Sequence, residues 1–235
     1  MVSIENYDNT AAEPPHDCTA CARLSEFRAA NAQVHPDWFN GPVPSFGSSD
    51  AAVLIVGLAP GLQGANKTGR PFTGDYAGDL LYATLGKFGF SAGRYGGHAD
   101  DGLQLRNCMI TNAVRCVPPQ NKPTTEESRL CGRYLTARIA QIPRLAAILA
   151  LGRIAHDSTL VALGHRKSAF KFAHGAAHGV GEGLTLFDSY HCSRYNTNTR
   201  RLTPEMFEEV FASISGHIAA RQSAGGTTTR RGASR

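Results

Sequence analysis

The sequence predicts an α/β fold in which a parallel sheet lies between two layers of helices. Short continuous apolar runs, typical of strands buried on both faces, occur at 52–58, 108–114, 145–151 and 184–189. Helical segments alternate with these strands, at 79–88, 124–141, 153–163 and 204–221, and a short helix precedes them at 18–32. This alternation predicts a three-layer sandwich around a four-stranded parallel sheet.

Two of the helix starts carry explicit signals. Thr124 and Glu127 have the spacing of a capping box, in which each side chain binds the backbone N–H of the other residue. Thr203 stands where an N-cap is expected, and Pro204 follows at the first helical position. The helices that they open are therefore well defined at their N-termini.

The length of 235 residues suits one domain better than two. We expect a flexible N-terminal arm over 1–15, a single domain over 16–222 and a disordered basic tail over 223–235, which is rich in Gly, Ser and Thr. No apolar run reaches the roughly 18 residues of a membrane span, and the N-terminus lacks a secretory apolar run. These features favour a cytoplasmic protein.

The charge is mildly basic, with a formal net charge of +5 and a pI of about 9.0. Basicity fits a polyanionic partner, although many proteins this basic bind no nucleic acid. Arginines cluster within 194–201, in a segment that follows the last predicted strand. Charge alone therefore leaves nucleic-acid binding open.

The site is expected at one edge of the sheet, because parallel sheets bind ligands beyond the carboxyl ends of their strands. The loops at that edge are 59–75, 112–119 and 191–201. The first is rich in glycine, but 61–68 reads GLQGANKT and has Asn66 where a Walker A loop needs its second glycine. This departure argues against a nucleotide triphosphate site.

Four of the six cysteines could form one metal site. Cys18 and Cys21 form a C-x-x-C pair, and Cys116 and Cys131 lie in a loop and on the helix that follows it. Zinc and a [4Fe–4S] cluster both accept four thiolates, and spacing does not separate them. The alternative is that Cys116 and Cys131 are small core residues.

The other two cysteines are expected to be chemically inert. Cys108 lies within an apolar strand, which indicates a core residue. Cys192 follows His191 in a site loop, but no partner pattern supports a nucleophile there.

Three segments and the cysteines together resemble a known family. GLAPGLQGANKTGRPFTGD at 57–75, TNAVRCVPP at 111–119 and SYHCSRYNTNTRRLT at 189–203 are similar to motifs of the uracil-DNA glycosylases, most closely the iron–sulfur-containing fifth family. The resemblance covers roughly residues 18–205. It implies a [4Fe–4S] cluster on Cys18, Cys21, Cys116 and Cys131.

The resemblance also implies a catalytic set of Asp75, Asn112 and His191. Asp75 would stabilise the sugar cation or orient water, Asn112 would read the base, and His191 would donate to the departing base. Each has a simpler alternative: a helix cap for Asp75, a turn-binding residue for Asn112 and neutral packing for His191. Leu58 and Ala59 stand where related families carry an acid, which places more weight on Asp75 and leaves its water-activating role open.

Two further sets follow from the resemblance. The base-binding set adds the aromatic ring of Phe72, for which a core position is the alternative, and the backbone of Gly57, Ala59, Pro60 and Gly61. The DNA-binding set, which would contact phosphates and press into the minor groove, is Ser193, Arg194, Tyr195, Asn196, Arg200 and Arg201. A solvated basic loop is the alternative for this second set.

The predicted activity is hydrolysis of the N-glycosidic bond of uracil in DNA, with hypoxanthine and xanthine as further substrates and an abasic site as product. DNA containing such bases is the expected partner, and a monomer the expected state. One alternative is a non-catalytic or covalent damaged-DNA binding protein of the same fold. The other is a small-molecule enzyme, such as a nucleotide hydrolase.

Overall fold

The computed structural model describes residues 11–181 and 183–226, with side chains through Ser223. Its helices within these residues are α1 (Ala22–Val34), α2 (Ala65–Thr68), α3 (Tyr76–Lys87), α4 (Thr125–Ala140), α5 (Arg153–Ala162), α6 (Arg194–Asn198) and α7 (Pro204–Gly226). Its strands are β1 (Phe46–Gly47), β2 (Val53–Gly57), β3 (Ser91–Ala92), β4 (Gln104–Leu105), β5 (Cys108–Asn112), β6 (Ala147–Leu151), β7 (Ala177–Gly179) and β8 (Thr185–Ser189). A short 3-10 turn covers Pro119–Asn121.

The main sheet has six strands in the order β1-β5-β2-β6-β8-β7. The middle four are parallel, as predicted, but β1 and β7 pair antiparallel at the two edges. The predicted count of four strands was therefore wrong. The edge strands have only two and three residues and contain no apolar run, so the pattern that marks a buried strand is missing from them.

Helices cover both faces of this sheet, as the side chains of β2 show. Val53 and Ile55 belong to one core cluster, whose helical members come from α3 and α7. Leu54 and Val56 belong to a second cluster, whose helical members come from α4 and α5. Successive side chains of a strand point to opposite faces, so the sheet is the middle layer of three.

The helix starts confirm the capping signals. Thr124 Oγ1 accepts from the backbone N–H of Glu127 at 3.1 Å, and the Glu127 carboxylate accepts from the Thr124 N–H at 2.7 Å. Thr203 Oγ1 accepts from the Met206 N–H at 3.3 Å. Helix α3 begins at Tyr76, three residues before the predicted start, because Asp75 caps it.

The described structure extends beyond the predicted domain of 16–222 at both ends. Ala12 is buried, and the Glu13 carboxylate binds Arg115 at 2.9 Å and Arg138 at 2.6 Å, so the chain contacts the domain before residue 16. Residues 1–10 lie outside the described residues. Helix α7 continues to Gly226, past the predicted start of the tail, and 227–235 also lie outside. None of the described helices is long and apolar enough to cross a membrane.

Candidate active site

A cleft of about 610 Å³ opens at the carboxyl edge of the parallel strands. Its walls come from the segments that follow β2, β5 and β8, which is where the topology places a ligand site. The lining residues are Leu58, Ala59, Pro60, Gly61, Gln63, Ala65, Phe72, Gly74, Asp75, Tyr76, Ala77, Asn112, Asn121, His191, Ser193 and Arg194. The three predicted catalytic residues therefore lie in one cleft, together with Phe72.

Gly57 lets an aromatic ring and an amide meet at the floor of the cleft. It is the last residue of β2 and pairs with Asn112 of β5. A Cβ at Gly57 would lie 2.6 Å from the Phe72 ring and would overlap the Asn112 Oδ1 atom. The glycine is therefore needed so that both side chains can approach the strand end.

Phe72 has a backbone φ of 52°, which is unusual for a residue other than glycine. Tyrosine hydroxyls hold the chain in this conformation: Tyr82 donates to the Pro71 carbonyl at 2.7 Å, and Tyr95 to the Phe72 carbonyl at 3.3 Å. The Phe72 ring belongs to the core cluster and also stacks on the His191 ring, with centroids 5.8 Å apart. The Phe72 ring is thus both a core residue and part of the cleft wall, the two positions that the sequence left as alternatives.

Asn112 carries an unsatisfied buried polar atom. Its side chain is almost fully buried, and its Oδ1 atom has no hydrogen-bond partner among the described residues. Buried amide groups are nearly always hydrogen-bonded, because an unpaired one costs about 1–3 kcal/mol. The amide at the cleft floor is therefore arranged for a ligand that supplies the missing partner.

Asp75 combines two positions that the sequence left as alternatives. Its Oδ1 caps α3 by accepting from the Gly78 N–H at 3.1 Å. Its Oδ2 lies against the glycine loop, so a Cβ at Gly64 would lie 2.6 Å from it and a Cβ at Gly61 3.2 Å from it. Burial raises the pKa of Asp75, although the backbone hydrogen bonds oppose that shift. The result is a carboxylate that is both a helix cap and a wall of the cleft.

His191 faces the cleft as a neutral imidazole. Burial lowers its pKa to about 4, and no hydrogen bond to its ring nitrogens is found within the described residues. A neutral imidazole carries one N–H donor and one lone pair. The Asn196 side chain donates to the His191 carbonyl at 2.8 Å, which fixes the backbone that carries the ring.

The segment 194–201, predicted as a DNA-contacting loop, begins with a short helix, since α6 covers Arg194–Asn198. Ser193 caps this helix by accepting from the Asn196 N–H at 3.4 Å, so both residues hold the segment together. Tyr195 is 71% exposed, and Arg194 lies over the Tyr76 ring with its guanidinium carbon 5.3 Å from the centroid. Arg200 and Arg201 are also exposed, but of the predicted DNA-binding residues only Ser193 and Arg194 line the cleft.

Among the polar and aromatic lining residues, Gln63, Tyr76 and Asn121 were not named as site residues from the sequence. Asn121 follows the Pro118–Pro119 pair and has a φ of 56°, a conformation that asparagine tolerates better than most residues. The loop predicted to hold the site was ended at Pro119, two residues short of it. The turn chemistry of a Pro-Pro-Gln-Asn run was the signal available in the sequence.

The four cysteines of the predicted metal site converge on a small cavity between α1, α4 and the loop after β5. The Arg115 backbone N–H donates to Cys131 Sγ at 3.3 Å, and the Cys18 sulfur lies 3.9 Å from the Tyr134 hydroxyl. Burial and neighbouring thiols raise the pKa of Cys21 to about 12, and burial raises that of Cys116 to about 12. At neutral pH such thiols stay protonated unless a nearby positive charge, such as a metal ion, favours the thiolate.

The other two cysteines are buried thiols. Cys108 lies in β5 with 1% exposure, as predicted for a core residue. Cys192 is fully buried and donates to the Ala77 carbonyl at 3.4 Å. Burial raises the pKa of both thiols, which argues against a nucleophilic role for either.

Comparison with known proteins identifies the family of this arrangement. Residues 44–215 match the family model of the uracil DNA glycosylase superfamily. A type-5 uracil-DNA glycosylase of Thermus thermophilus is 45% identical over 199 residues, which is 82% of this chain and 90% of the relative. Type-5 enzymes of Pyrobaculum aerophilum and Mycobacterium tuberculosis are 39% and 40% identical over 83% of this chain, and 86% and 75% of their own lengths. The chain therefore belongs to the uracil DNA glycosylase superfamily.

Proposed function

We propose that this DNA glycosylase hydrolyses the bond between uracil and deoxyribose in DNA and leaves an abasic site. The observation that carries the proposal is one cleft in which Asp75, Asn112, His191 and Phe72 converge. A damaged base must leave the duplex to reach such a cleft, and an aromatic ring and an amide suit a flipped base. The names of the type-5 relatives support the same substrate.

The cleft residues match the charges of the reaction. As the glycosidic bond breaks, the sugar becomes cationic and the base gains negative charge. Asp75, whose carboxylate forms a wall of the cleft, would stabilise the sugar cation, and the Asn112 amide, whose oxygen has no partner in the described residues, would bind the edge of the base. The neutral His191 ring donates one N–H to the base oxygen that gains charge.

The test must separate the catalytic role of Asp75 from its capping role. Asn is as good an N-cap as Asp, so Asp75→Asn keeps the acceptor for the Gly78 N–H and removes only the negative charge. Asp75→Ala removes both. We expect the single-turnover rate on duplex DNA with one uracil to fall by about 10²–10⁴-fold in both variants.

Thermal unfolding of the two variants completes this test. Burial opposes ionisation of Asp75, so Asp75→Asn should unfold at or above the wild-type temperature, whereas Asp75→Ala should lose about 1 kcal/mol with the cap. Full uracil excision by Asp75→Asn would reduce Asp75 to a cap. Tight binding of uracil-DNA by the wild type without excision would instead favour a damaged-DNA binding protein.

The substrate range is proposed to include hypoxanthine and xanthine. The cleft is large, and its wall at Leu58 and Ala59 offers no polar side chain that would select one base edge. Asn112 can reverse its donor and acceptor by rotating its amide, which suits more than one base. Excision rates on oligonucleotides that differ only in the damaged base test this, and a rate for uracil alone would overturn it.

A [4Fe–4S] cluster is proposed on Cys18, Cys21, Cys116 and Cys131. A single zinc ion with sulfurs at about 2.3 Å needs sulfur pairs within about 4 Å. Across the described ranges, no three of the cysteine sulfurs lie within 4.8 Å of one another, which supports a larger group. The cluster would tie the segment before α1 to the loop after β5, next to Asn112. Iron and acid-labile sulfide analysis of purified protein tests the assignment, and zinc without iron would overturn it.

The remaining proposals concern the setting of the reaction. DNA is the proposed partner, and the protein would bind it through exposed groups beside the cleft, among them Arg194 and Tyr195. The protein is proposed to act as a monomer and in the cytoplasm. Light scattering of the protein with and without a duplex tests the monomeric state, since a dimer would double the protein mass bound to each duplex. Fluorescence microscopy of a tagged chain tests the location.

A further inference from the structure

A cluster of two histidines and one aspartate lies apart from the cleft and is not used by the proposed reaction. Asp188 of β8 is fully buried, as is His156 of α5, and the His178 side chain of β7 is 14% exposed. His156 Nδ1 is 2.7 Å from Asp188 Oδ1, and His178 Nε2 is 3.1 Å from Asp188 Oδ2. One ligand atom from each residue lies within 4.8 Å of the other two.

The hydrogen-bond partners of His156 require a proton or a metal ion between its ring and Asp188. Its Nε2 is 3.1 Å from the Phe170 carbonyl, and because a carbonyl only accepts, this nitrogen carries the hydrogen. In a neutral ring, Nδ1 then directs a lone pair at the carboxylate oxygen of Asp188, which also carries only lone pairs. Either a second proton or a metal ion must lie between these two atoms.

We propose that His156 Nδ1, His178 Nε2 and the Asp188 carboxylate bind a divalent transition-metal ion such as Zn²⁺. Two imidazoles and one carboxylate are an established donor set for zinc, with water as the fourth ligand. The Nε2–H bond from His156 to the Phe170 carbonyl is the contact that usually orients a metal-binding histidine. The partial exposure of His178 gives the ion and its water a path from solvent.

The proposed ion would fasten three elements of the sheet edge. Its ligands come from α5, β7 and β8, and the backbone of 173–176 is already bonded to Asp188 through the Ala173 and Gly175 N–H groups and the Ala176 carbonyl. His191 follows Asp188 by three residues along the chain. Metal binding would therefore stabilise the strand that leads into the cleft, without contact with the base.

The experiment measures zinc and iron on the same cluster-loaded protein after dialysis against Zn²⁺ and then metal-free buffer. We expect about one zinc per chain in the wild type, as for a single four-coordinate site. His178→Ala should lose that zinc at unchanged iron content, and its partial exposure makes it the variant that is expected to fold. His98→Ala, which removes an exposed histidine outside the cluster, should keep it.

Two spectroscopic readouts separate the proposal from its rivals. X-ray absorption at the zinc edge should show nitrogen and oxygen ligands, and sulfur ligands would place the zinc on the cysteines and overturn the site. Nitrogen-15 NMR of zinc-treated protein should show one protonated ring nitrogen in His156. Two protonated nitrogens there, or equal zinc in wild type and His178→Ala, would leave a buried imidazolium and no metal site.

Discussion

Two buried polar regions border the same stretch of chain, and they are satisfied to opposite degrees. The Arg70–Asp101 pair lies beside the Phe72 backbone with both side chains almost fully buried, and each of the three guanidinium nitrogens of Arg70 donates to a partner. In the neighbouring cleft, the Asn112 Oδ1 atom has no partner in the described structure, Phe72 is in a strained conformation and His191 is held neutral. Pairing therefore stabilises the Arg70–Asp101 region that underlies Phe72, whereas the unpaired groups of the cleft are left for a ligand.

Removing one partner should lower the stability of the fold more in the Arg70–Asp101 region than in the cleft. Asp101→Ala leaves the buried Arg70 guanidinium without its bidentate carboxylate, so we expect a loss of about 3–5 kcal/mol in the free energy of unfolding. Urea denaturation measures it. The exposed pair of Glu126 and Arg129 is the control, and Glu126→Ala should leave the urea midpoint unchanged. Equal shifts of the urea midpoint in Asp101→Ala and Glu126→Ala would show that the buried pair stabilises the fold no more than the exposed one.

Removing the Asn112 amide from the cleft should lower activity and leave stability unchanged. Asn112→Ala removes an oxygen that has no partner, so we expect stability to be kept while the uracil excision rate falls by about 10²–10³-fold. Urea midpoints and single-turnover rates on the same samples check both halves of this prediction. A variant that loses stability but keeps its rate would show that Asn112 supports the fold and does not read the base.

The neutral state of His191 predicts a pH dependence of stability. Its pKa is about 4 in the folded protein and about 6.5 when unperturbed, so between these values the unfolded chain binds the proton that the folded chain excludes. Stability should therefore fall by about 2–3 kcal/mol as the pH is lowered through this window. His191→Gln should remove this part of the pH dependence, and identical pH profiles of the two proteins would rule out the buried neutral ring.

The smallest effect is expected at the rim of the cleft. Arg194 is exposed beside Tyr76, so Arg194→Gln should lower the slope of log affinity for duplex DNA against log salt concentration by about 1. Arg129→Gln on α4 removes the same charge outside the cleft and should leave the slope unchanged. Equal slopes for all three proteins would show that DNA does not contact this rim.

The sequence predicted the four central strands and the starts of α4 and α7 because local signals specify both. A buried parallel strand needs an unbroken apolar run, and Thr124 with Glu127 forms its capping box whatever the helix packs against. The edge strands β1 and β7 escaped prediction because they are only two and three residues long and contain no apolar run, and β1 also pairs with β5, which is distant in the chain. The helical character of α6 escaped too, since polar residues such as Ser193 and Asn196 favour a loop as readily as a capped turn.

For the site, the sequence alone predicted Asp75, Asn112, Phe72 and His191, because each stands in a segment whose chemistry can be named, and the structure brings the four into one cleft. The folded chain then showed what each side chain lacks: a partner for the Asn112 oxygen, a second ring proton for His191 and a relaxed backbone for Phe72. It also brought together His156, His178 and Asp188, which no spacing in the chain links. Burial and unmet hydrogen bonds are properties of packing, and packing joins residues that are distant in the sequence.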